Sequence, residues 1–401
     1  MKLVVTIFEP TLDGALDSIR ALHRDHDMIE VRVDAFGGGD LDRFRDVTSK
    51  PIIFTNRGGE PVETDFGLID VEFGRPVRHP ERTVLSHHDF DGVPDLEPLI
   101  EAMRAPRCAY MKIAVTPATF AENERILQAI RPGLSIVGMG ERGLYSRILA
   151  PFFGSELTFV SVDEEHAAAL GQISLEKALA IYGDRKMHAT HVFATVGNPA
   201  GHSLSPTIHN PLFRERGIPA AYTIASVESF DEVIEPFTAH RLTGMSVTAP
   251  FKDEAFAFAQ RIGADIGYNA KEARAVNTLV NTPHGVIADN TDIDGFETLL
   301  RGIEGKTAAV LGAGATGRAA AIALHRAGFD VTVYNRTPRG RTLPLTDAID
   351  ADVIINTLPK DVKINVRATI DAAYTDTSGT GYRLLHAQAI RQNELFLKAF
   401  E

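Results

Sequence analysis

Eight short runs rich in β-branched and apolar residues recur through the first 186 residues, at 3–8, 28–34, 51–57, 68–73, 83–90, 110–117, 134–140 and 157–162. Apolar residues at helical spacing separate most of them, over 11–24, 40–48, 95–105, 118–131 and 174–183. Strands that alternate with helices run parallel, because each crossover returns the chain to the same end of the sheet, and eight such units favour a closed (β/α)8 barrel over an open sheet. The links 58–67 and 74–82 are rich in Gly, Pro and charge and too short for a crossover helix. The expected fold of residues 1–186 is a barrel lacking its third and fourth outer helices.

The polar stretch 184–190 then interrupts the pattern, and Val192-Phe193-Ala194-Thr195-Val196-Gly197 restarts it. An α/β unit is expected over 191–300, with a helix from Ser205, strands near 221–227, 243–248, 276–280 and 285–289, and helices near 229–239 and 250–261. A shortened Rossmann-type unit is expected over 301–380: strand 307–312, a glycine turn, helix 316–327 and a second strand at Val331-Thr332-Val333-Tyr334. A last helix, 381–399, is expected to pack back on the middle unit. The whole is α/β in class.

Charge narrows the partners. The 401 residues hold 41 Lys and Arg against 53 Asp and Glu, a balance of −12, which opposes binding to nucleic acid or an anionic membrane. No uncharged apolar stretch approaches the roughly 18 residues of a membrane span. The single cysteine, Cys108, cannot close an internal disulfide, and the run from Met1 to Glu9 is charged too early for a secretory signal. The expectation is a cytoplasmic protein acting on small molecules.

Three strands carry chemistry. Side chains two apart on a strand share a face, so Glu30, Arg32 and Asp34 point the same way. Inward, they need mutual pairing or a polar ligand; outward, they would turn Val31 and Val33 in, and parity alone does not decide. In Tyr110-Met111-Lys112-Ile113-Ala114-Val115 a lone lysine interrupts an apolar strand. Desolvation lowers an amine's pKa, which is how a lysine becomes able to attack a carbonyl and form a Schiff base. A lysine that snorkels or pairs with a carboxylate is the alternative. In Ser86-His87-His88-Asp89-Phe90 one of the two histidines faces the interior, where it could shuttle protons.

These runs, with Phe54-Thr55-Asn56-Arg57, Asp70-Val71-Glu72, Ser146-Arg147 and Gly171-Gln172-Ile173-Ser174, stand in the order seen in type I 3-dehydroquinate dehydratases, which residues 1–180 resemble. The resemblance implies that Lys112 forms the imine with the substrate ketone and that His88 removes the neighbouring proton and assists loss of water. It further implies that Arg147 binds the substrate carboxylate, that Glu30, Arg32, Arg57 and Gln172 hold hydroxyls or the carboxylate rim, and that Glu60 orients His88.

In the second half, Gly312-Ala313-Gly314-Ala315-Thr316-Gly317 follows an apolar strand and opens a helix, the setting in which glycines let pyrophosphate approach a helix N-terminus. The next strand ends in Asn335-Arg336-Thr337 where an NAD site would carry an acidic residue. Arg336, with Arg339 and Arg341 nearby, suits the 2′-phosphate of NADP. Upstream stand Ser203-Leu204-Ser205-Pro206, Ser246-Val247-Thr248-Ala249-Pro250-Phe251-Lys252, Asn277-Thr278 and Asp289-Asn290-Thr291-Asp292. With the glycine turn, these resemble shikimate dehydrogenase over about 191–399. The resemblance implies that Ser203 and Ser205 hold the shikimate carboxylate, that Thr248, Asn277 and Gln388 hold ring hydroxyls, that Lys252 and Asp292 flank the hydroxyl being oxidised, and that Gly381 lines the cofactor.

Together the two resemblances imply one chain that dehydrates 3-dehydroquinate and reduces 3-dehydroshikimate to shikimate with NADPH. The rival readings are a quinate/shikimate dehydrogenase with a degenerate barrel and a non-catalytic ligand sensor. No Cys/His cluster has metal-ligand spacing, so no catalytic metal is expected.

Overall fold

The structure is a computed structural model, and it describes residues 1–22, 25–185, 188–338, 340–346, 348–359, 362, 368–374 and 377–401. Arg339, and Lys186 and Met187 of the interrupting polar stretch, lie outside the described residues. The chain forms two compact units: Met1–Val192 with Pro199–Glu228, and Phe193–Asn198 with Ser229–Glu401.

In the first unit, β1 (Lys2–Ile7), β2 (Met28–Arg32), β3 (Ile52–Thr55), β4 (Leu68–Glu72), β5 (Thr83–Asp89), β6 (Tyr110–Val115), β7 (Leu134–Gly138) and β8 (Leu157–Ser161) form one parallel sheet in the order β7-β6-β5-β4-β3-β2-β1-β8. The seam between β7 and β8 is bridged by the Glu156 N–H on the Leu134 carbonyl at 3.3 Å and the Leu157 N–H on Ser135 Oγ at 2.8 Å. This is a nearly closed barrel. Outer helices are α1 (Leu12–Ala21), the single turn α2 (Val33–Phe36), α3 (Leu96–Arg104), α4 (Phe120–Gln128), α5 (Leu144–Leu149) and α6 (Leu175–Tyr182). Local chemistry sets their starts: Thr11 Oγ1 accepts from the Gly14 N–H, and Thr119 and Glu122 form a reciprocal capping box. No helix follows β3 or β4 among the described residues, where only the 3-10 turn Pro80–Arg82 intervenes.

Two expectations are corrected. The strand expected over 28–34 ends at Arg32, and Asp34 sits in α2, a turn closed by Gly37 in the left-handed region (φ 72°). The helix expected over 40–48 is one 3-10 turn, Leu41–Phe44. Its two apolar residues make only a single turn's worth of buried face.

Inside the barrel, Val4, Met28, Ile53, Val84, Leu157 and Phe159 fill the floor. Above them the register sets a polar layer: Thr6 is opposite Glu30, Glu72 opposite Ser86, Ser86 opposite Lys112 and Lys112 opposite Ser135. Towards the C-terminal strand ends, as parallel barrels require, the interior changes from apolar to ionisable.

The same unit includes α7 (Ser205–Glu215) and β10 (Ala220–Ser226), which pack on α6 and α5, with β9 (His191–Gly197) between them and the barrel in sequence. Thr223 Oγ1 donates to the carbonyl of Tyr145 at 3.1 Å, and Arg214 donates to the carbonyls of Ile181 and Ala180 at the end of α6. Every residue of α5 is consequently buried. The unit border therefore differs from the sequence border at 186–191, because these contacts tie 199–228 to the barrel.

The second unit holds α8 (Asp231–Thr238), β11 (Gly244–Val247), α9 (Lys252–Arg261), β12 (Asp265–Ile266), α10 (Tyr268–Ala273), β13 (Thr278–Thr282), β14 (Gly285–Asp289) and α11 (Thr291–Leu300). Its first sheet runs β9-β11-β13-β14-β12 with β13 antiparallel to both neighbours. Then β15 (Thr307–Leu311), α12 (Ala315–Arg326), β16 (Asp330–Asn335), β17 (Leu343–Pro344), β18 (Val353–Asn356) and β19 (Ile370–Asp371) form an all-parallel sheet in the order β17-β16-β15-β18-β19, the 3-2-1-4-5 order of a Rossmann-type sheet. The outer strands are two residues each, so the layer is short. The last helix, α13 (Thr380–Leu397), packs on α11 and β13.

Candidate functional site

The barrel mouth opens on a cavity of about 150 Å³ lined by Thr6, Glu30, Arg32, Arg57, His88, Phe90, Lys112, Ala114, Val137, Met139, Arg147, Phe159, Ala168, Ala169 and Gln172. Lys112 is 7% exposed, with Nζ 3.7 Å from Glu30 Oε1 and 3.8 Å from the centre of the Phe159 ring. Burial pushes its amine below the ordinary lysine value; Glu30 opposes this and Arg57 reinforces it. Glu30 is fixed by hydroxyls on both sides, Thr6 Oγ1 at 2.8 Å and Thr55 Oγ1 at 2.9 Å. Burial works against its ionisation, but Lys112 and Arg57 prevail and hold the carboxyl at about 2.

Of the two histidines, His88 faces in. Its backbone N–H donates to Glu72 Oε1 and its Nδ1 meets Glu72 Oε2, both at 2.9 Å. A carboxylate only accepts, so the Glu72 contact, shorter than the 3.3 Å from Arg57 Nη1 to the same nitrogen, favours the proton on Nδ1 and the lone pair on Nε2. Burial lowers the imidazole below its ordinary value; Lys112 and Arg57 push the same way and Glu72 opposes them. Burial also opposes ionisation of Glu72, yet the bond from His88 and the charge of Arg57 keep it at about 2.

Arg57 forks onto Asp70 at 2.9 and 3.0 Å and also reaches Glu72 at 3.0 Å. Ser86 Oγ donates to Asp70 at 2.7 Å. Arg32 spends its fork on Asp34 at 3.0 and 2.6 Å. Arg147 is different: it is 6% exposed, its Nε donates to the Gly138 carbonyl at 2.9 Å, and among the described residues no carboxylate pairs with it. Burial lowers its guanidinium to about 10. An anionic ligand would relieve that cost. Gln172 is tethered by the Ala168 N–H at 2.9 Å and donates to Thr6 at 3.1 Å.

The barrel residues expected from the sequence line this cavity, with one exception. Glu60 has a side chain 92% exposed, pairs with Arg75 at 3.5 Å, and among the described residues makes no contact with His88. The orienting carboxylate is Glu72. It shares the inward face of β4 with Asp70, and that period-two spacing is the signal that could have found it.

Ser203 and Ser205 belong to the first unit. Both are buried, with Ser203 Oγ donating to Ser205 Oγ at 3.1 Å at the start of α7.

In the second unit, Lys252 opens α9 and is 8% exposed. Its Nζ donates to Asp292 Oδ2 at 2.5 Å and to Thr316 Oγ1 at 3.1 Å. Asp292 is held in turn: its N–H is capped by Asn290 Oδ1 at 3.1 Å, and its Oδ1 accepts from Asn277 Nδ2 at 2.8 Å. Asn277 Nδ2 also reaches Gln388 Oε1 at 3.3 Å. Thr248 directly follows β11, four residues before Lys252, with its N–H on the Val196 carbonyl at 2.8 Å. The bond that Lys252 donates to Thr316 has no sequence signal, since the two residues stand 64 positions apart.

The glycine turn has the form of a phosphate cradle. Gly312 takes φ 104°, a Cβ on Gly317 would lie 2.0 Å from the Gly312 carbonyl oxygen, and the space above Gly314, which precedes α12, is open. Ala313, Ala315 and Thr316 complete the turn. Asn335 Nδ2 donates to the Thr337 carbonyl at 3.0 Å, and Arg336 and Arg341 are exposed with no carboxylate paired to Arg336 among the described residues. A Cβ on Gly381 would lie 2.2 Å from the Ala373 carbonyl, so that position requires glycine for packing. Among the described residues, no group of three His, Cys, Asp or Glu side chains is placed to hold a metal ion, and no helix is long and apolar enough to cross a membrane.

The family model for type I 3-dehydroquinase matches residues 62–189, and that for the shikimate dehydrogenase substrate binding domain matches residues 195–279. Relatives include the chloroplastic bifunctional 3-dehydroquinate dehydratase/shikimate dehydrogenase of Arabidopsis thaliana, 29% identical over 72% of this chain and 54% of the relative. The shikimate biosynthesis protein AroDE of Chlamydia pneumoniae is 28% identical over 71% of this chain and 63% of its own length. A shikimate dehydrogenase (NADP(+)) of Pyrococcus abyssi is 37% identical over 37% of this chain and 55% of its own. The chain thus spans between about half and two thirds of the length of these relatives. One polypeptide thus carries a segment similar to type I 3-dehydroquinase and a segment similar to the substrate binding domain of shikimate dehydrogenase.

Proposed function

We propose that the chain catalyses two consecutive steps, dehydration of 3-dehydroquinate to 3-dehydroshikimate in the barrel and NADPH-dependent reduction of 3-dehydroshikimate to shikimate in the second half. The observation that carries the reading is a buried, depressed amine at Lys112 in one cavity with a neutral histidine and an unpaired arginine. Lys112 Nζ adds to the ketone and expels water, forming an imine. The protonated imine draws electrons, so His88 Nε2 can remove the neighbouring C2 proton, and the same proton returns to the departing hydroxyl, which leaves as water. Hydrolysis of the imine frees Lys112. Arg147 takes the substrate carboxylate, and Glu30, Arg32, Arg57 and Gln172 border the ring hydroxyls.

For the second step, NADPH supplies the hydride when bound, and the cradle of Gly312, Gly314 and Gly317 with Arg336 beyond β16 fits its pyrophosphate and 2′-phosphate. Lys252 gives a proton to the ketone oxygen as that oxygen gains negative charge, and Asp292 orients the amine. Ser203 and Ser205 take the carboxylate, and Thr248, Asn277 and Gln388 the ring hydroxyls. The lone free Cys108 fits a cytoplasmic enzyme.

The test supplies 3-dehydroquinate and NADPH to the full chain and follows enone absorbance and nicotinamide oxidation together. Both signals are expected, and borohydride added during turnover should fix substrate on Lys112. An enone signal without an adduct would remove the imine from the mechanism.

A further inference from the structure

The loop from β7 leads into α5, which carries Arg147 of the barrel cavity, and this loop also grips a second loop. Glu141 Oε1 accepts three hydrogen bonds from beyond the barrel strands: the Ala200 N–H at 3.0 Å, the Gly201 N–H at 2.9 Å and Ser226 Oγ at 2.7 Å. Contact at Gly201 is so close that a Cβ there would lie 2.8 Å from Glu141 Cγ. Beside it, Arg142 pairs with Glu228 at 3.0 Å. All these residues lie within the first unit.

What Glu141 grips is the turn that presents the serines. The Ser203 N–H closes onto the Ala200 carbonyl at 2.9 Å, and the Ser203 hydroxyl then meets Ser205. Two N–H groups of that turn are therefore tied to one carboxylate oxygen, and bonds to an ionised acceptor are about twice as strong as neutral ones. Burial works against ionisation of Glu141, but the bonds from Ser226, Gly201 and Ala200 outweigh it and hold the carboxyl below the ordinary range.

We propose that Glu141 is a positioning residue for the second reaction: a carboxylate on a barrel loop that sets the Ser203 and Ser205 hydroxyls for the carboxylate of the dehydrogenase substrate. This rests on the role given above to the two serines. Removing the grip lets the turn sample other geometries, so the substrate pays an ordering cost on binding while hydride and proton transfer are untouched.

The test uses the full chain and initial rates of NADP-dependent shikimate oxidation. Glu141→Ala is expected to raise KM for shikimate by about tenfold with kcat and KM for NADP unchanged. Glu141→Gln keeps an acceptor oxygen and should recover most of the loss, a rescue that a purely structural strap need not show. Ser226→Ala, which removes one of three bonds, should raise the same KM to a smaller extent and decides the matter if Glu141→Ala does not fold. Wild-type shikimate KM in Glu141→Ala, or in Ser226→Ala should that alone fold, overturns the proposal, as does an equal loss in kcat and both KM values. A wild-type chain that oxidises no shikimate would instead overturn the reading of the second site itself.

Discussion

A general base serves a buried site only while it is neutral, and His88 is kept so by its surroundings. Burial sets its folded pKa below 6.5, so protonation, which removes the base, comes only as pH falls through that lower value. The acid limb of kcat/KM for dehydration is expected below pH 6.5, and Glu72→Gln, which deletes the one group that raises the histidine, should move the limb lower still. A pH–rate series on both proteins decides this; a limb displaced upward would reverse the assignment. His88→Ala should cost about 10²–10⁴ in kcat while leaving Lys112 open to borohydride trapping. On the other side, Thr316→Val removes one of the two bonds on Lys252 and should lower kcat for shikimate oxidation by about three- to tenfold with KM for shikimate unchanged in initial-rate kinetics. Lys112 and His88 could be read from the chain because an ionisable group inside an apolar strand is costly and so stands out. Glu72 was passed over for Glu60 because the orienting role depends on the path of a Gly- and Pro-rich link, 58–67, and local spacing does not dictate that path.

At the scale of elements, close approach is the controlling quantity. Helix α12 meets strand β15 only because Gly317 leaves its Cβ position to the Gly312 carbonyl. Gly317→Val should prise them apart at a cost of about 1–3 kcal/mol and abolish NADPH binding, measured by nucleotide fluorescence, with the adduct on Lys112 still forming in the barrel. The barrel strands were legible because short runs of four to seven residues, rich in apolar and β-branched types and set between turn signals, suit strands of a largely buried parallel sheet. Where the pattern misled, tertiary geometry chose otherwise. Gly37, Gly38 and Gly39 all take positive φ, and the helical turn that leads into them ends β2 before Asp34, which frees that carboxylate to fork with Arg32. The segment 40–48 has apolar residues enough for one turn, and Phe44 alone is anchored, edge-on to Phe54.

Taken whole, the molecule does not divide where its sequence does. The polar stretch near 186–191 marks a real change of pattern, yet α7 and β10, which follow it, cover α6 and α5 of the barrel. A fragment ending at residue 190 should expose the outer face of α5 and melt well below one ending at Glu228, with the Lys112 adduct forming in the longer piece; equal melting points in calorimetry would refute this. Sequence periodicity is silent on such cover, because nothing local states which surface an amphipathic helix will find. Helix α5, every residue of it buried, is thus a common wall: Arg147 on it looks into the barrel cavity while the backbone carbonyls of Leu144 and Tyr145 brace a strand that the sequence pattern assigns beyond the barrel. A change of side-chain volume on that helix is therefore felt on both of its faces, in the barrel cavity and in the strand that covers it.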